Sequence, residues 1–166
     1  MQNKISLILG CLLMVFTSCD SNQVFDEYKS VSNPWNKNEV VEFVFQAPDT
    51  LNNYNLFVNL RSNNDYKFSN LFLIVEMNYP NGKVEKDTLE YEMAKPDGTF
   101  LGSGFSDIKE NKLWYKGYKT PYVFSENGEY KVFIQQAMRE NGQINGVENL
   151  HGVLDVGFRI EKSQSN

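Results

Sequence analysis

Apolar residues recur in this chain at every second position over short stretches, and Asn, Asp, Gly or Pro close almost every stretch. A period of two belongs to a strand with one buried face, whereas a helix facing a core repeats every 3.6 residues. Residues 39–46 set Val41, Phe43 and Phe45 on one face and Val40, Glu42 and Val44 on the other. Residues 54–60 gather Leu56, Val58 and Leu60, and residues 129–138 set Tyr130, Val132, Ile134 and Gln136 against Lys131, Phe133 and Gln135. Residues 153–160 carry Val156, Phe158 and Ile160 on one side, and residues 24–28 offer one short strand near the beginning. Residues 71–78 are apolar nearly throughout, which predicts a strand buried on both faces.

Turn chemistry fixes how some of these segments pair. Pro80-Asn81-Gly82-Lys83 separates residues 71–78 from residues 84–93, and Asn-Gly is a strong hairpin signal because both residues tolerate positive φ. Gly128-Glu129-Tyr130 resembles the tyrosine corner of immunoglobulin-like sandwiches, in which the hydroxyl bonds back to nearby backbone. About seven to nine strands are expected, with no amphipathic helix longer than two turns, although residues 105–114 have room for one turn. The pattern predicts an all-β chain: a single antiparallel β-sandwich, immunoglobulin-like or jelly-roll-like, with a closed barrel as the alternative.

The first eighteen residues follow a different rule. Met1 to Lys4 form a small charged region, an apolar run extends from Ile5 to Phe16, and Phe16-Thr17-Ser18-Cys19 reads as a lipobox. About a dozen apolar residues are too few for a membrane span, which needs about 20. Cys11 lies in a similar local pattern, but cleavage there would leave too short an apolar region. The reading is a lipoprotein signal peptide over residues 1–18, with Cys19 as the acylated first residue of the mature chain. Residues 19–38 are then a lipid-anchored tether with the first short strand, residues 39–161 the sandwich, and residues 162–166 a polar tail.

Removal of the leader takes Lys4 from the 16 basic residues and none of the 21 acidic ones, so the mature charge is −6 with His151 neutral. An acidic chain without a basic cluster argues against nucleic acid and against electrostatic binding to anionic lipid heads. Membrane attachment falls to the acyl chains, two or more of which anchor stably. Cys11 leaves with the signal and Cys19 carries lipid, so no disulfide is available. A single histidine, His151, has no cysteine partner, and no zinc site is expected. No Gly-x-Ser-x-Gly elbow is present, and an acid pair such as Asp97 with Asp107 is a chance event among 21 acids. Asn63-Asn64-Asp65 and Asp97-Gly98 read as solvated turns rather than calcium loops. The expectation is a non-enzyme with no metal and no cofactor.

Residues 113–122 concentrate aromatics in what reads as a connection between strands. Trp114, Tyr115, Tyr118 and Tyr122 are therefore the candidate interface residues, since rings of this size anchor contacts. The same rings could fill an open end of the core or stack on a sugar, so a glycan partner stays as an alternative.

Four long segments carry a resemblance: SCDSNQVFDEYKSV from Ser18, NLFVNLRSNNDYKFSNLFLIVEMNYPNGKVEKDTLEYEMAKPDGTFLG from Asn55, SGFSDIKENKLWYK from Ser103, and GEYKVFIQQAMRENG from Gly128. Together they resemble the GldH family of gliding-motility lipoproteins of Bacteroidetes-type bacteria, over most of the mature chain. The resemblance implies a palmitate-bearing envelope lipoprotein needed for gliding, a process tied to type IX secretion, with other motility and secretion proteins as partners. It implies the outer membrane as the location. Only Cys19 transfers with a defined role. Asp20, directly after the lipid-bearing cysteine, leaves the leaflet open.

Overall fold

The computed structural model describes residues 22–104 and 106–163. The signal-peptide region, Cys19 and Phe105 lie outside the described residues. Eight strands of six residues or more form two antiparallel sheets of four. In chain order the elements are β1 (Gln23–Ser30), β2 (Trp35–Asn36), β3 (Val41–Gln46), β4 (Tyr54–Ser62), β5 (Asn70–Asn78), β6 (Val84–Glu92), β7 (Lys109–Lys116), β8 (Glu129–Gln136), β9 (Asn149–Leu150) and β10 (Val153–Lys162). The first sheet runs β1-β10-β4-β7 and the second β3-β8-β5-β6, while β2 and β9 form a short separate ladder. The all-β sandwich expected from the alternation is the fold observed.

The core lies between the sheets and is built by the predicted faces. Val41, Phe43 and Phe45 meet Val156, Phe158 and Ile160, with ring centroids of Phe45 and Phe158 5.7 Å apart and of Phe43 and Phe158 6.1 Å apart. Phe25 of β1 reaches Phe45 across the gap at 5.4 Å. Each large apolar side chain removed from water in this way contributes about 1.5–3 kcal/mol, and no cysteine occurs among the described residues.

Several elements depart from the sequence reading, each for a physical reason. Residues 105–114 hold no helical turn among those described; Lys109–Lys116 is the edge strand β7. Its alternation is present, with Asn111 and Leu113 buried and Glu110, Lys112 and Trp114 exposed, but lysines and a tryptophan on the outer face disguise it. Residues 71–78 are not buried on both faces: Leu71, Leu73, Val75 and Met77 face the core and the residues between them stay half-buried. Burial on both faces belongs to β4, where Leu56, Phe57, Val58, Asn59 and Leu60 are all buried in succession. The boundary at residue 39 falls inside the folded unit, because β1 pairs with β10 from Gln23 to Ser30 and Trp35 is fully buried. At the other end Lys162 still belongs to β10.

Two turns show how the strands are joined and anchored. At the β5–β6 hairpin the Gly82 amide donates to Tyr79 O at 3.0 Å and Tyr79 N donates to Lys83 O at 2.9 Å. Gly82 (φ 85°) is the left-handed residue, and Asn81 is not, so Pro80 enforces a type I turn followed by a glycine bulge. Ahead of β8 the Tyr130 hydroxyl donates to Glu126 O at 3.2 Å, the geometry of a tyrosine corner.

Candidate functional site

The outer face of the β1-β10-β4-β7 sheet is the most built surface of the molecule, and it contains the exposed tryptophan. β4 lies inside this sheet, so its outward side chains are flanked on both sides, and its run Leu56-Phe57-Val58 places Phe57 outward between two inward residues. An outward phenylalanine needs cover, and neighbouring strands supply it. Phe57 stands opposite Arg159 on one side and Trp114 on the other. The Trp114 ring packs on it at 4.4 Å and the Lys112 ammonium lies 4.1 Å from its centroid. Phe57 is left 3% exposed although it faces away from the core.

Charged groups lock this cover across all four strands. From β1, the Tyr28 ring lies over Gly157, where an added Cβ would sit 2.9 Å from ring carbons, and its hydroxyl donates to Glu110 of β7 at 2.6 Å. Arg61 stacks on the same ring at 4.1 Å and donates to Glu110 at 3.3 Å. Burial, then the hydrogen bond to the Glu110 carboxylate, pushes the Tyr28 hydroxyl well above its ordinary pKa. Arg159 binds Asp26 at 2.6 Å and Glu161 at 2.5 Å, and Lys112 also reaches Glu161 at 2.6 Å. The Arg61–Glu110 pair is exposed and contributes only about 0–1 kcal/mol, whereas Arg159, Asp26 and Glu161 are mostly buried, and together they form a cover over Phe57. Beside that cover Trp114 stays 39% exposed, with Tyr118, 70% exposed, against it at 5.2 Å.

The four candidate aromatics therefore separate into two pairs. Trp114 and Tyr118 face solvent together. Tyr115 and Tyr122 turn inward: Tyr115 packs edge-on to Phe158 at 6.3 Å and donates to Asp87 at 3.1 Å, while Tyr122 packs on Phe124 at 5.1 Å. Burial pushes the Tyr122 hydroxyl up to about 12. Alternation along β7 causes the division, since residues 114 and 115 point to opposite faces. Phe57, Tyr28 and Arg61 were not singled out from the sequence; the signal for Phe57 was the unbroken apolar triplet Leu56-Phe57-Val58.

The other candidate chemistry disperses into local structure. The Asp97 carboxylate accepts from Thr99 N at 2.9 Å and Asp107 from Asn64 Nδ2 at 3.0 Å, so each serves a turn or loop contact. Asn63 Oδ1 accepts from Asp65 N at 3.0 Å, the side-chain-to-backbone bond of an Asx turn. His151 is exposed on the rim of a cleft of about 650 Å³, which Asp65, Lys67, Phe68, Glu140 and Val147 also line. Among the described residues no three His, Cys, Asp or Glu side chains come together as a metal site. No helix among them is long and apolar enough to cross a membrane.

Comparison with known proteins decides the family. The GldH lipoprotein family matches residues 23–160, the entire span from β1 into β10. The chain belongs to the GldH lipoprotein family. Its similarity to the "Gliding motility lipoprotein GldH homolog" of Christiangramia forsetii is 53% identity over 92% of each chain. To the "Gliding motility lipoprotein GldH" of Flavobacterium johnsoniae it is 53% identity over 97% of each. Among solved structures, the infectious bursal disease virus VP2 subviral particle aligns with 89% of this chain and 44% of that one, at 10% identity and a TM-score of 0.27, and carries no argument. Membership in a lipoprotein family makes this GldH-family chain a membrane-anchored protein of the cell envelope.

Proposed function

We propose that this chain is a gliding-motility lipoprotein acylated on Cys19, held at the outer membrane, and that it works without catalysis by binding other motility and type IX secretion proteins. Two relatives named for gliding motility support the process, at 53% identity over nearly the full chain. The single observation that supports a binding role is Trp114: a large ring, 39% exposed, seated on an interlocked face that spans all four strands of one sheet. Aromatic anchors on rigid ground are where binding energy concentrates. A hydrolase reading finds little footing, since Asp97 and Asp107 are engaged in local contacts and His151 is exposed. A glycan platform is the weaker binding reading. The Trp114 and Tyr118 rings are tilted by 47°, which gives no common plane for successive sugar rings.

The test is cross-linked co-purification from intact cells, comparing the native protein with Trp114→Ala and identifying captured proteins by mass spectrometry. Recovery of envelope motility or secretion proteins with the native chain, and their loss with the variant, is expected. Equal recovery from both would remove Trp114 from the interface.

A further inference from the structure

The first strand begins almost at the lipid. Between Cys19 and Asn22 there are three residue steps, and an extended chain covers at most about 3.6 Å per residue, or about 11 Å in all. Asn22 is already part of the fold, its carbonyl accepting from Lys162 N at 2.8 Å. A tether this short ties one particular end of the sandwich to the bilayer surface.

Strand register says which end that is. Gln23 stands opposite Glu161, Lys162 opposite Tyr54, and Leu56 opposite Lys116. The loops at this end are therefore residues 47–53, between β3 and β4, residues 117–128, between β7 and β8, and the β5–β6 hairpin at residues 79–83, whose Pro80 lies beside Gly128. The first two carry the most exposed large apolar side chains of this end, Leu51 at 88% and Tyr118 at 70%, while the hairpin presents Pro80, Asn81 and Lys83. Ile144, at 90%, is the comparable exposed side chain of the opposite end, in the segment after β8.

Both tips are held by built loops. The Asp49 carboxylate accepts from Leu51 N and Asn52 N, each at 2.8 Å, from Asn52 Nδ2 at 2.7 Å and from the Tyr54 hydroxyl at 2.5 Å. Gly117 (φ 100°) lets the second loop pass so close that a Cβ there would lie 2.5 Å from Tyr54 O. Tyr54 N in turn donates to Tyr122 O at 2.8 Å, joining the two loops. A leucine fixed outward in water has no structural use in the isolated domain, and a tyrosine is at home where an apolar body meets a wet edge.

We propose that this end of the sandwich sits on the membrane that holds the lipid, with Leu51 and Tyr118 entering the headgroup region as contact points. The orientation rests on Cys19 as the acylated residue. It places the Trp114 face upright beside the bilayer, within reach of partners that are themselves membrane-bound, and turns the His151 cleft away from the surface.

The experiment uses the full lipidated protein in vesicles of phosphatidylcholine and phosphatidylethanolamine. Cys19 is acylated, so Leu51→Cys, Tyr118→Cys and Ile144→Cys each add one free thiol for a polarity-sensitive dye. All three sites are exposed, and circular dichroism checks that each variant keeps its strands. The expected result is blue-shifted emission, quenched by bromolipid, at positions 51 and 118 and water-like emission at 144. Protein that floats with the vesicles but gives water-like emission at 51 and 118 overturns the orientation and leaves the anchor intact. Protein that fails to float overturns the Cys19 reading and the orientation with it. A tip used for protein contact also gives water-like emission in these protein-free vesicles and so counts against the proposal.

Discussion

The two ends of the sandwich are closed by different means. At the end where β1 begins, tyrosines do the work with rings in the core and hydroxyls aimed at the loops. Tyr54 donates to Asp49 at 2.5 Å, Tyr79 to Glu85 at 2.7 Å and Tyr130 to Glu126 O at 3.2 Å. The Tyr54 and Tyr130 rings pack on Phe124 at 5.3 Å and 5.1 Å, and Tyr79 packs on Tyr130 at 5.2 Å. The opposite end has one such pin, the Tyr66 hydroxyl donating to Asn70 O at 2.6 Å, and otherwise relies on shape. Trp35 and Leu150, paired in the short β2–β9 ladder, are fully buried, Trp35 Nε1 donates to Glu39 O at 3.0 Å, and Gly152 passes against Tyr66. An open cleft of about 650 Å³ remains there, against one of about 480 Å³ along residues 114–122 at the first end. Hydroxyl-pinned loops hold the apolar tip Leu51 outward in a fixed position.

Substitution effects are expected to follow local crowding, which at Gly152 of the far seal exceeds that at the β5–β6 hairpin of the first end. Trp35→Ala removes a fully buried indole from the far seal and is expected to cost about 3–5 kcal/mol, read as the midpoint shift in urea unfolding. Glycine replacement gives a matched pair. Gly152 has φ 82° and a Cβ there would lie 2.0 Å from Tyr66 N, so Gly152→Ala should cost about 3 kcal/mol or more. Gly82 also has positive φ but open space around it, so Gly82→Ala should cost only about 1 kcal/mol of backbone strain. Equal losses in the same urea assay would break the comparison.

A pH measurement sharpens it. The Lys83 ammonium and then the Tyr79 hydroxyl hold Glu85 down at about 2 from an ordinary 4.5. A depressed carboxylate contributes stability that is complete above its unfolded pKa and lost as pH falls through the folded value. The melting-temperature gap between the native chain and Glu85→Gln should be full above about pH 4.5 and close towards pH 2, and it should shrink with salt because the pair is largely exposed. A gap independent of pH would assign the effect to packing. The smallest expected change is Tyr118→Ala, within about 0.5 kcal/mol of native stability, because the ring is exposed.

Sequence patterning made the sheets legible wherever alternation was clean. β3, β8 and β10 lie where period two put them, with the predicted residues inward. It failed where a strand's outer face is not simply polar. β7 carries Trp114 outward among lysines, and β4 carries Phe57 outward because neighbouring side chains cover it, so both depend on partners distant in sequence. The two-residue strands β2 and β9 have no period to read at all; only the burial of Trp35 and Leu150 reveals them. For the site, the aromatic stretch was visible as composition, but its division into an outward and an inward pair required knowing that residue 114 lies in a strand.

The most direct measurement is made in cells: spreading on agar, with envelope abundance and the melting temperature of the purified domain, for Trp114→Ala beside the native chain. The account predicts normal abundance in the envelope, a melting temperature lowered by no more than about 4 °C, and loss of spreading together with loss of the cross-linked partners. Normal spreading with a stable, abundant variant would contradict a binding role for the Trp114 face.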